Sequence, residues 1–137
     1  MQYPVNIGDA AKASGVSAKM VRHYEDIGLI PKASRTESGY RVYSESDVHM
    51  LRFIRRARNL GFSVKRIEDL LGLWRNRRRE SGKVKALALE HMAELDARIR
   101  EMTEMRRTLE HLAGKCHGDD RPDCPILEDL SGAGHNC

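Results

Sequence analysis

Residues 6–30 read NIGDAAKASGVSAKMVRHYEDIGLI, which has the pattern of two short helices around a turn. A first short helix is expected to end at Gly15, and Ser17 is a good N-cap for a second. The first helix buries a face that carries Ile7, Ala10 and Ala11. The residues expected to face the core from the second helix and its end are Val21, Ile27 and Leu29.

Basic residues occupy the outer positions of the second helix. Lys19 and Arg22 lie near its N-terminus, on the side away from the core. Two helices around a glycine turn, with such positions exposed, are typical of the helix-turn-helix, which lays its second helix in the major groove. Other small helical hairpins share this pattern, so the stretch alone does not establish DNA binding.

In the next segment, PKASRTESGYRVYSESD, the apolar residues no longer follow helical spacing. Pro31 ends the helical part, and Ser38-Gly39 is a turn signal. The residues that favour a strand are Tyr40, Val42 and Tyr43. A hairpin directly after a helix-turn-helix is a wing, and Arg35, Tyr40 and Arg41 are then able to reach phosphates. The alternative is a solvated hairpin whose tyrosines cover the core.

Two further helices follow the hairpin. The first begins after Ser44 or Ser46, ends at Gly61, and has an apolar row of Val48, Leu51, Ile54 and Ala57. Arginines surround that row at positions 52, 55, 56 and 58. Ser63 caps the next helix, whose apolar stripe is Val64, Ile67, Leu70, Leu71 and Trp74. The basic run after it, RNRRRESG, is expected to be an exposed connector.

From about residue 84 to 112 one long helix is predicted. Its apolar seam repeats every seven residues at Ala88, Leu95, Met102 and Leu109, with Met92 and Ile99 between them. Arg106 interrupts this second row. No other predicted helix has comparable length, so the seam favours pairing with a second copy. A homodimer also suits a DNA reader that addresses two half-sites.

Charge divides the 137-residue chain. Residues 1–79 hold 16 Lys and Arg against 8 Asp and Glu, whereas the balance is −1 over residues 80–113 and −3 over residues 114–137. A basic first half is typical of a nucleic-acid partner. No transmembrane segment or secretory signal is recognisable, so the expected compartment is the cytoplasm, where thiols stay reduced. The sequence contains no catalytic motif, and enzymatic activity is not expected.

The cysteines raise a separate question. Cys116 and Cys124 have seven residues between them in the charged stretch GKCHGDDRPDCPILED, and only Cys137 adds another thiol. Thiolates prefer soft ions, so Cu(I), Ag(I) or Au(I) are suitable guests. A tetrahedral zinc site needs four ligands, and His117, His135 or Cys137 are possible extras. A redox disulfide and two unliganded thiols remain as alternatives.

Four stretches together resemble the MerR family of transcription activators: NIGDAAKASGVSAKMVRHYEDIGLI, RTESGYRVYSESDV, LRFIRRARNLGFSVKRIEDLL and CHGDDRPDCPILEDLSG. The last resembles its copper efflux regulator branch. The resemblance implies a mainly α fold with a winged helix-turn-helix, a long dimerisation helix in an antiparallel coiled coil, and a C-terminal metal-binding loop. The expected boundaries are 1–75 for the DNA-binding domain, 76–83 for the linker, 84–113 for the dimerisation helix, and 114–137 for the loop and tail.

The resemblance also implies roles for individual residues. The metal ligands would be Cys116 and Cys124. Ser81 matches the position at which members sensing divalent ions carry a cysteine, which favours monovalent Cu(I), and the iron–sulfur members need more cysteines than this chain has. The positions that match family DNA contacts are Lys19, Arg22, Tyr24, Arg35, Tyr40, Arg41 and Arg58.

The function that follows is metal-responsive transcription activation. The resemblance implies that a homodimer binds a pseudo-palindromic promoter operator and distorts it, so that RNA polymerase can engage both promoter elements and copper-efflux genes are transcribed. The alternatives are a zinc- or cadmium-responsive regulator of the same family, and a metal buffer or carrier.

Overall fold

A computed structural model of the chain describes residues 2–116, 118, 122 and 124–132. Its helices and strands fall into two compact units, Met1–Val84 and Lys85–Cys137. The first unit holds four helices and a two-stranded sheet, and the second holds most of a long helix and one short helix. The predicted mainly α fold, with a winged helix-turn-helix before a long C-terminal helix, is confirmed.

The first two helices form the predicted pair. Helix α1 is Ile7–Ser14 and helix α2 is Ala18–Asp26. Ser17 caps α2 as expected, because its side chain accepts a hydrogen bond from the backbone N–H of Met20. Such a cap satisfies one of the N–H groups that have no partner within the helix.

The turn between α1 and α2 depends on Gly15. Its φ is +76°, in the left-handed region that favours glycine. A Cβ added there would lie 2.9 Å from Nη1 of Arg55, so the space beside the turn is filled as well. Arg52 binds the same turn by donating from Nε to the carbonyl of Ala13 over 2.9 Å. The third helix thereby fixes the angle at which α2 leaves α1.

The wing is a short antiparallel hairpin. Strand β1 is Ser34–Arg35 and strand β2 is Arg41–Val42, with Arg35 directly opposite Arg41. Beyond β2, the backbone groups of Tyr43 and Val5 exchange two hydrogen bonds, of 2.9 and 2.7 Å. This pairing could not be predicted from the sequence, because Val5 is an isolated apolar residue before α1.

Helices α3 (Glu45–Asn59) and α4 (Val64–Arg75) cover the other side of the unit. Ser44, rather than Ser46, caps α3, and its side chain forms a capping box with Asp47. The predicted apolar row of α3 is buried throughout, at Val48, Leu51, Ile54 and Ala57. In α4 the buried positions are Ile67 and Leu71, with Val64 and Leu70 partly buried against the core.

Two apolar residues lie differently from the prediction. Ile27 is 47% exposed, because α2 ends at Asp26 and the helical phase that pointed position 27 inward does not continue. Leu29 is buried as predicted and Ile30 is buried beside it, and the N–H groups of both bind the carbonyl of Tyr24. Trp74 is also exposed on one side, and its ring stacks on Phe53 with centroids 4.8 Å apart.

The second unit is built on helix α5, Ser81–Lys115, which is longer at both ends than the predicted 84–112. At 1.5 Å per residue its 35 residues extend about 52 Å. The only described residue of α5 that is buried is His91. A short helix α6, Pro125–Ser131, follows with proline at its first turn.

Tyr43 gives a stability prediction. Its side chain is fully buried, and Oη has no hydrogen bond of good geometry among the described residues, although the Arg41 guanidinium lies close to it. Burial, and then the charge of Glu25, raise the pKa of Tyr43 above its ordinary value of 10.0, while the Arg41 guanidinium partly offsets them. The unfolded tyrosine therefore ionises first, so the free energy of unfolding falls as pH rises above 10.0.

We expect Tyr43→Phe to raise the free energy of unfolding by up to about 1 kcal/mol at neutral pH, because it removes a buried hydroxyl whose hydrogen bonding is incomplete. Urea unfolding of both proteins from about pH 8 to about pH 11 measures the effect. The difference between variant and wild type should widen with pH. A variant that is less stable at every pH would show that the hydroxyl is well satisfied.

Candidate nucleic-acid interface and thiol pair

Helix α2 presents two of the predicted DNA-binding residues to solvent. Lys19 and Arg22 are both exposed, and Val21 between them is fully buried. This alternation places the cations on the outer face, because residues three apart lie on the same side of a helix. Tyr24 differs, since its side chain is only 5% exposed and belongs to the core. Its proposed DNA contact is therefore restricted to a small part of its surface.

An open cleft lies between α2, the start of α1 and the wing. It brings together four of the seven predicted residues, Arg22, Arg35, Tyr40 and Arg41. The remaining lining residues are Asn6, Ile7, Thr36, Gly39 and Val42. Three guanidinium groups along one cleft give the concentration of positive charge that suits a phosphate backbone.

The wing tip is shaped by a hydrogen bond from one of these arginines. Arg35 donates from Nη1 to the carbonyl of Gly39 over 2.8 Å, and Gly39 has a φ of +85°. Thr36 closes the turn: its carbonyl accepts from the N–H of Gly39, its hydroxyl accepts from the N–H of Tyr40, and its own N–H donates to the carbonyl of Tyr40. The Tyr40 side chain is 74% exposed. The closed turn therefore holds the backbone of an exposed aromatic residue in one conformation.

A buried carboxylate behind the wing is a residue that sequence reasoning missed. Glu25 is only 7% exposed. Its Oε1 accepts a hydrogen bond of 2.7 Å from the N–H of Ala33, and its Oε2 lies 3.5 Å from Nε of Arg41. Buried carboxylates of this kind are retained in proteins when they are paired and hydrogen-bonded. An acidic residue in a basic helix gave no sequence signal for such a role.

Arg58, the last predicted DNA-binding residue, lies at the end of α3. It is exposed, and its Nη1 donates to the carbonyl of Phe62 over 3.3 Å. The connector between α4 and α5 is exposed as predicted, and within it Arg79 donates to the carbonyls of Trp74 and Asn76. Arg58 does not line the cleft that holds the other arginines.

The two cysteines lie at the ends of the helices that flank the loop. Cys116 directly follows α5, and its N–H binds the carbonyl of Ala113. Cys124 directly precedes α6, and its carbonyl accepts from the N–H of Glu128. Both side chains are partly buried, and both are free thiols. Each cysteine is thus directly adjacent to the end of a helix.

Three further candidate ligands fall in parts of the chain that the structure does not describe. His117, His135 and Cys137 lie outside the described residues. Across the residues that are described, no three His, Cys, Asp or Glu side chains come together as a metal site would require. Ser81 is exposed at the first position of α5. The thiols that the structure describes beside the loop are therefore those of Cys116 and Cys124.

Comparison with known proteins identifies the family. A model of the MerR HTH family regulatory protein matches residues 5–73, and a MerR DNA-binding model matches residues 48–112. The chain belongs to the MerR family. These matches include both helices of the helix-turn-helix, the wing, and most of α5. Transcription regulation and DNA binding are the activities of this family, and its members similar to this chain are regulators, not enzymes.

Individual MerR-family relatives cover nearly the whole chain. It is 65% identical to heavy metal-dependent transcription regulator 2 of Rhizobium meliloti, over 93% of this chain and 86% of the relative. It is 41% identical to the regulator CueR of Escherichia coli O6:H1, over 96% and 98%. The crystal structure of PbrR691 from Ralstonia metallidurans with lead(II) superposes with a TM-score of 0.78, at 31% identity over 92% and 98%.

No helix within the described residues combines the length and apolar character needed to cross a membrane.

Proposed function

We propose that this MerR-family regulator is a homodimeric activator that responds to Cu(I) through Cys116 and Cys124. The observation that carries the proposal is the pair of free, partly buried thiols that ends α5 and precedes α6. Ag(I) and Au(I), which have the same preference for thiolates, are expected to act as surrogates. The genes controlled would be those of copper efflux and detoxification.

The relatives support a metal effector. One similar protein is a heavy metal-dependent regulator, and another is CueR. The thiols of this chain fit a soft monovalent ion, because two thiolates satisfy it and no third described donor is needed. When bound, such an ion joins the two thiolates, which lie at the ends of separate helices. Cys116 and Cys124 thereby link the end of α5 to the start of α6.

Dimerisation is supported by the apolar seam of α5. Large side chains that a soluble helix normally buries are more than half exposed along it, namely Leu89, Met92, Ile99, Met102, Met105 and Leu109. An exposed apolar row of this length marks an interface. A second copy of the chain supplies the same row, so two α5 helices can cover each other in an antiparallel coiled coil.

The DNA-bound dimer would use its two winged helix-turn-helix units on the halves of a pseudo-palindromic operator. The proposed contacts come from Lys19, Arg22, Tyr24, Arg35, Tyr40, Arg41 and Arg58. Bending or untwisting DNA costs several kcal/mol, which protein contacts must offset. A metal that binds the distorting conformation of the dimer more tightly shifts the population toward it, and RNA polymerase then engages the promoter.

Transcription in vitro tests this proposal. The operator is first obtained by selecting duplexes that the protein retains from a random pool, and is then placed between the elements of a promoter. Cu(I) and Ag(I) should increase transcripts from RNA polymerase, and Zn(II) should not. Protein that binds Cu(I) tightly but retains no duplex from the pool would instead be a metal buffer or carrier.

A divalent effector is the second candidate, and one observation favours it: the similar structure of PbrR691 was determined with lead(II). Zinc or cadmium would need more than two ligands. The family resemblance places a third thiolate at position 81, where this chain has an exposed serine. The alternative therefore depends on donors from His117, His135 or Cys137.

We expect Ser81→Cys to strengthen Zn(II) binding by about tenfold or more, because a third thiolate brings the site closer to a complete zinc coordination sphere. Competition with a chromophoric chelator measures the change, and Ser81→Ala is the matched control. Unchanged Zn(II) affinity in the cysteine variant would show that position 81 does not reach the thiol pair in the dimer.

A further inference from the structure

Glu25 is the one acidic residue of the DNA-binding unit that the structure buries. It lies in the last turn of α2, the helix proposed to enter the major groove. An uncompensated carboxylate there would be unfavourable twice, through lost hydration and through repulsion from phosphates. Its neighbour Asp26 is exposed, and it lines with Glu25 a second, smaller cleft beside Lys32 and Ala33, so a solvated position for a carboxylate exists one residue away.

The Glu25 carboxylate joins three parts of the unit. Oε1 accepts from the N–H of Ala33, which directly precedes β1. Oε2 pairs with Nε of Arg41 in β2. One side chain of α2 therefore fixes the start of the wing by a hydrogen bond and its second strand by an ion pair. Among the described residues, Glu25 is the α2 side chain that makes a hydrogen bond and an ion pair to the wing.

The wing itself contains a charge conflict. Arg35 and Arg41 are directly opposite each other in the β1–β2 register. Like charges at opposed positions destabilise an antiparallel pair. The hairpin has only two paired residues in each strand, so its own backbone bonds offer little resistance. The carboxylate of Glu25 supplies the opposite charge on the Arg41 side of this pair.

We propose that Glu25 is a positioning residue for operator binding, which fixes the wing to the recognition helix and holds Arg41 by its Nε edge. A guanidinium has further donors on its other edge, and these stay available for a phosphate. The distance between recognition helix and wing is then set before DNA arrives. The spacing of their contacts on the duplex follows from that preset distance.

This inference rests on the proposed DNA contacts of α2 and Arg41, and its test is arranged to separate the two. Full-length wild type, Glu25→Gln, Asp26→Asn, Arg41→Gln and the Glu25→Gln/Arg41→Gln double variant are titrated against the selected operator and an unrelated duplex. Circular dichroism gives the folded fraction of each, and affinities are expressed per folded protein.

A positioning role predicts that Glu25→Gln lowers operator affinity, whereas the change in charge alone would raise it. Both Glu25→Gln and Asp26→Asn remove one negative charge near a polyanion, which by itself strengthens binding. We expect Asp26→Asn to bind the operator as tightly as wild type or more so, and Glu25→Gln to bind it about tenfold more weakly. Affinity for the unrelated duplex should not fall in either variant. In the Arg41→Gln background, Glu25→Gln should have little further effect.

Other outcomes would contradict either the positioning role of Glu25 or the proposed DNA interface itself. Equal or tighter operator binding by folded Glu25→Gln, alongside a loss in Arg41→Gln, overturns the positioning role while leaving the DNA interface intact. The same holds if Glu25→Gln lowers only the melting temperature. No loss in Arg41→Gln contradicts the proposed interface itself, and with it the route by which Glu25 would act.

Discussion

Cys116→Ser is expected to abolish Cu(I)-dependent transcription. A hydroxyl does not replace a thiolate for a soft ion, so one of two proposed ligands is lost. Structural zinc sites with four Cys or His ligands gain about 10–16 kcal/mol, on the order of 3 kcal/mol per ligand, and losing one Cu(I) thiolate is expected to cost a similar amount. Cu(I) affinity should therefore fall by about a hundredfold or more. Cys124→Ser should have the same effect, and operator binding without metal should persist in both.

The matched control is Cys137→Ser, which removes the only other thiol of the chain. In the proposed function this variant keeps both ligands and should respond to Cu(I) nearly as wild type does. A large loss in Cys137→Ser, with a retained response in Cys116→Ser, would assign the site to the C-terminal tail and favour the divalent alternative.

Arg22→Ala is expected to weaken operator binding by about 1–3 kcal/mol, the range for a recognition-helix arginine that contacts a base or phosphate. Arg22 is exposed on α2 and lines the cleft shared with the wing, so its guanidinium is free to approach the duplex. Fluorescence anisotropy at several salt concentrations measures the loss. It also distinguishes a phosphate contact, which lowers the salt slope by about one, from a base contact.

Arg100→Ala is the control for Arg22→Ala, because Arg100 is equally exposed but lies on α5, outside the helix-turn-helix. It removes the same charge from the dimer and should leave operator affinity nearly unchanged. Equal losses in the two variants would mean that overall charge, rather than the recognition helix, determines binding.

The helices of the first unit were predictable because their signals are local. Ser17, Ser44 and Ser63 cap α2, α3 and α4 through bonds to residues three positions on. The apolar row of α3 is buried as its spacing predicted. Gly15 carries the positive φ that ends α1. Each feature depends on a few consecutive residues, which is the information that a sequence displays.

Features that depend on distant contacts were missed or misplaced. Ile27 was expected in the core from helical phase, but α2 ends one residue before it. The burial of Glu25 depends on Ala33 and Arg41, which only the folded wing brings close. Helix α5 begins at Ser81, three residues before the predicted start. The prediction missed residues 81–83 because no apolar repeat marks them.

In the candidate site, too, features with local sequence signals were predicted and features that depend on packing were not. Periodicity placed Lys19 and Arg22 on the outer face of α2, and both are exposed. Tyr24 was assigned by resemblance and lies mostly in the core, since its position in the helix also serves packing. The assignment of Cys116 and Cys124 as ligands is based on thiol chemistry and on the family resemblance, and a metal titration tests it.

A competition titration of the reduced protein with Cu(I) and with Zn(II) tests the central claim most directly. It counts the ions held per Cys116–Cys124 pair. Two thiolates suited to a soft monovalent ion predict one tightly bound Cu(I) per chain and weak Zn(II). Tight Zn(II) with weak Cu(I) would contradict the proposal and would require ligands beyond these two cysteines.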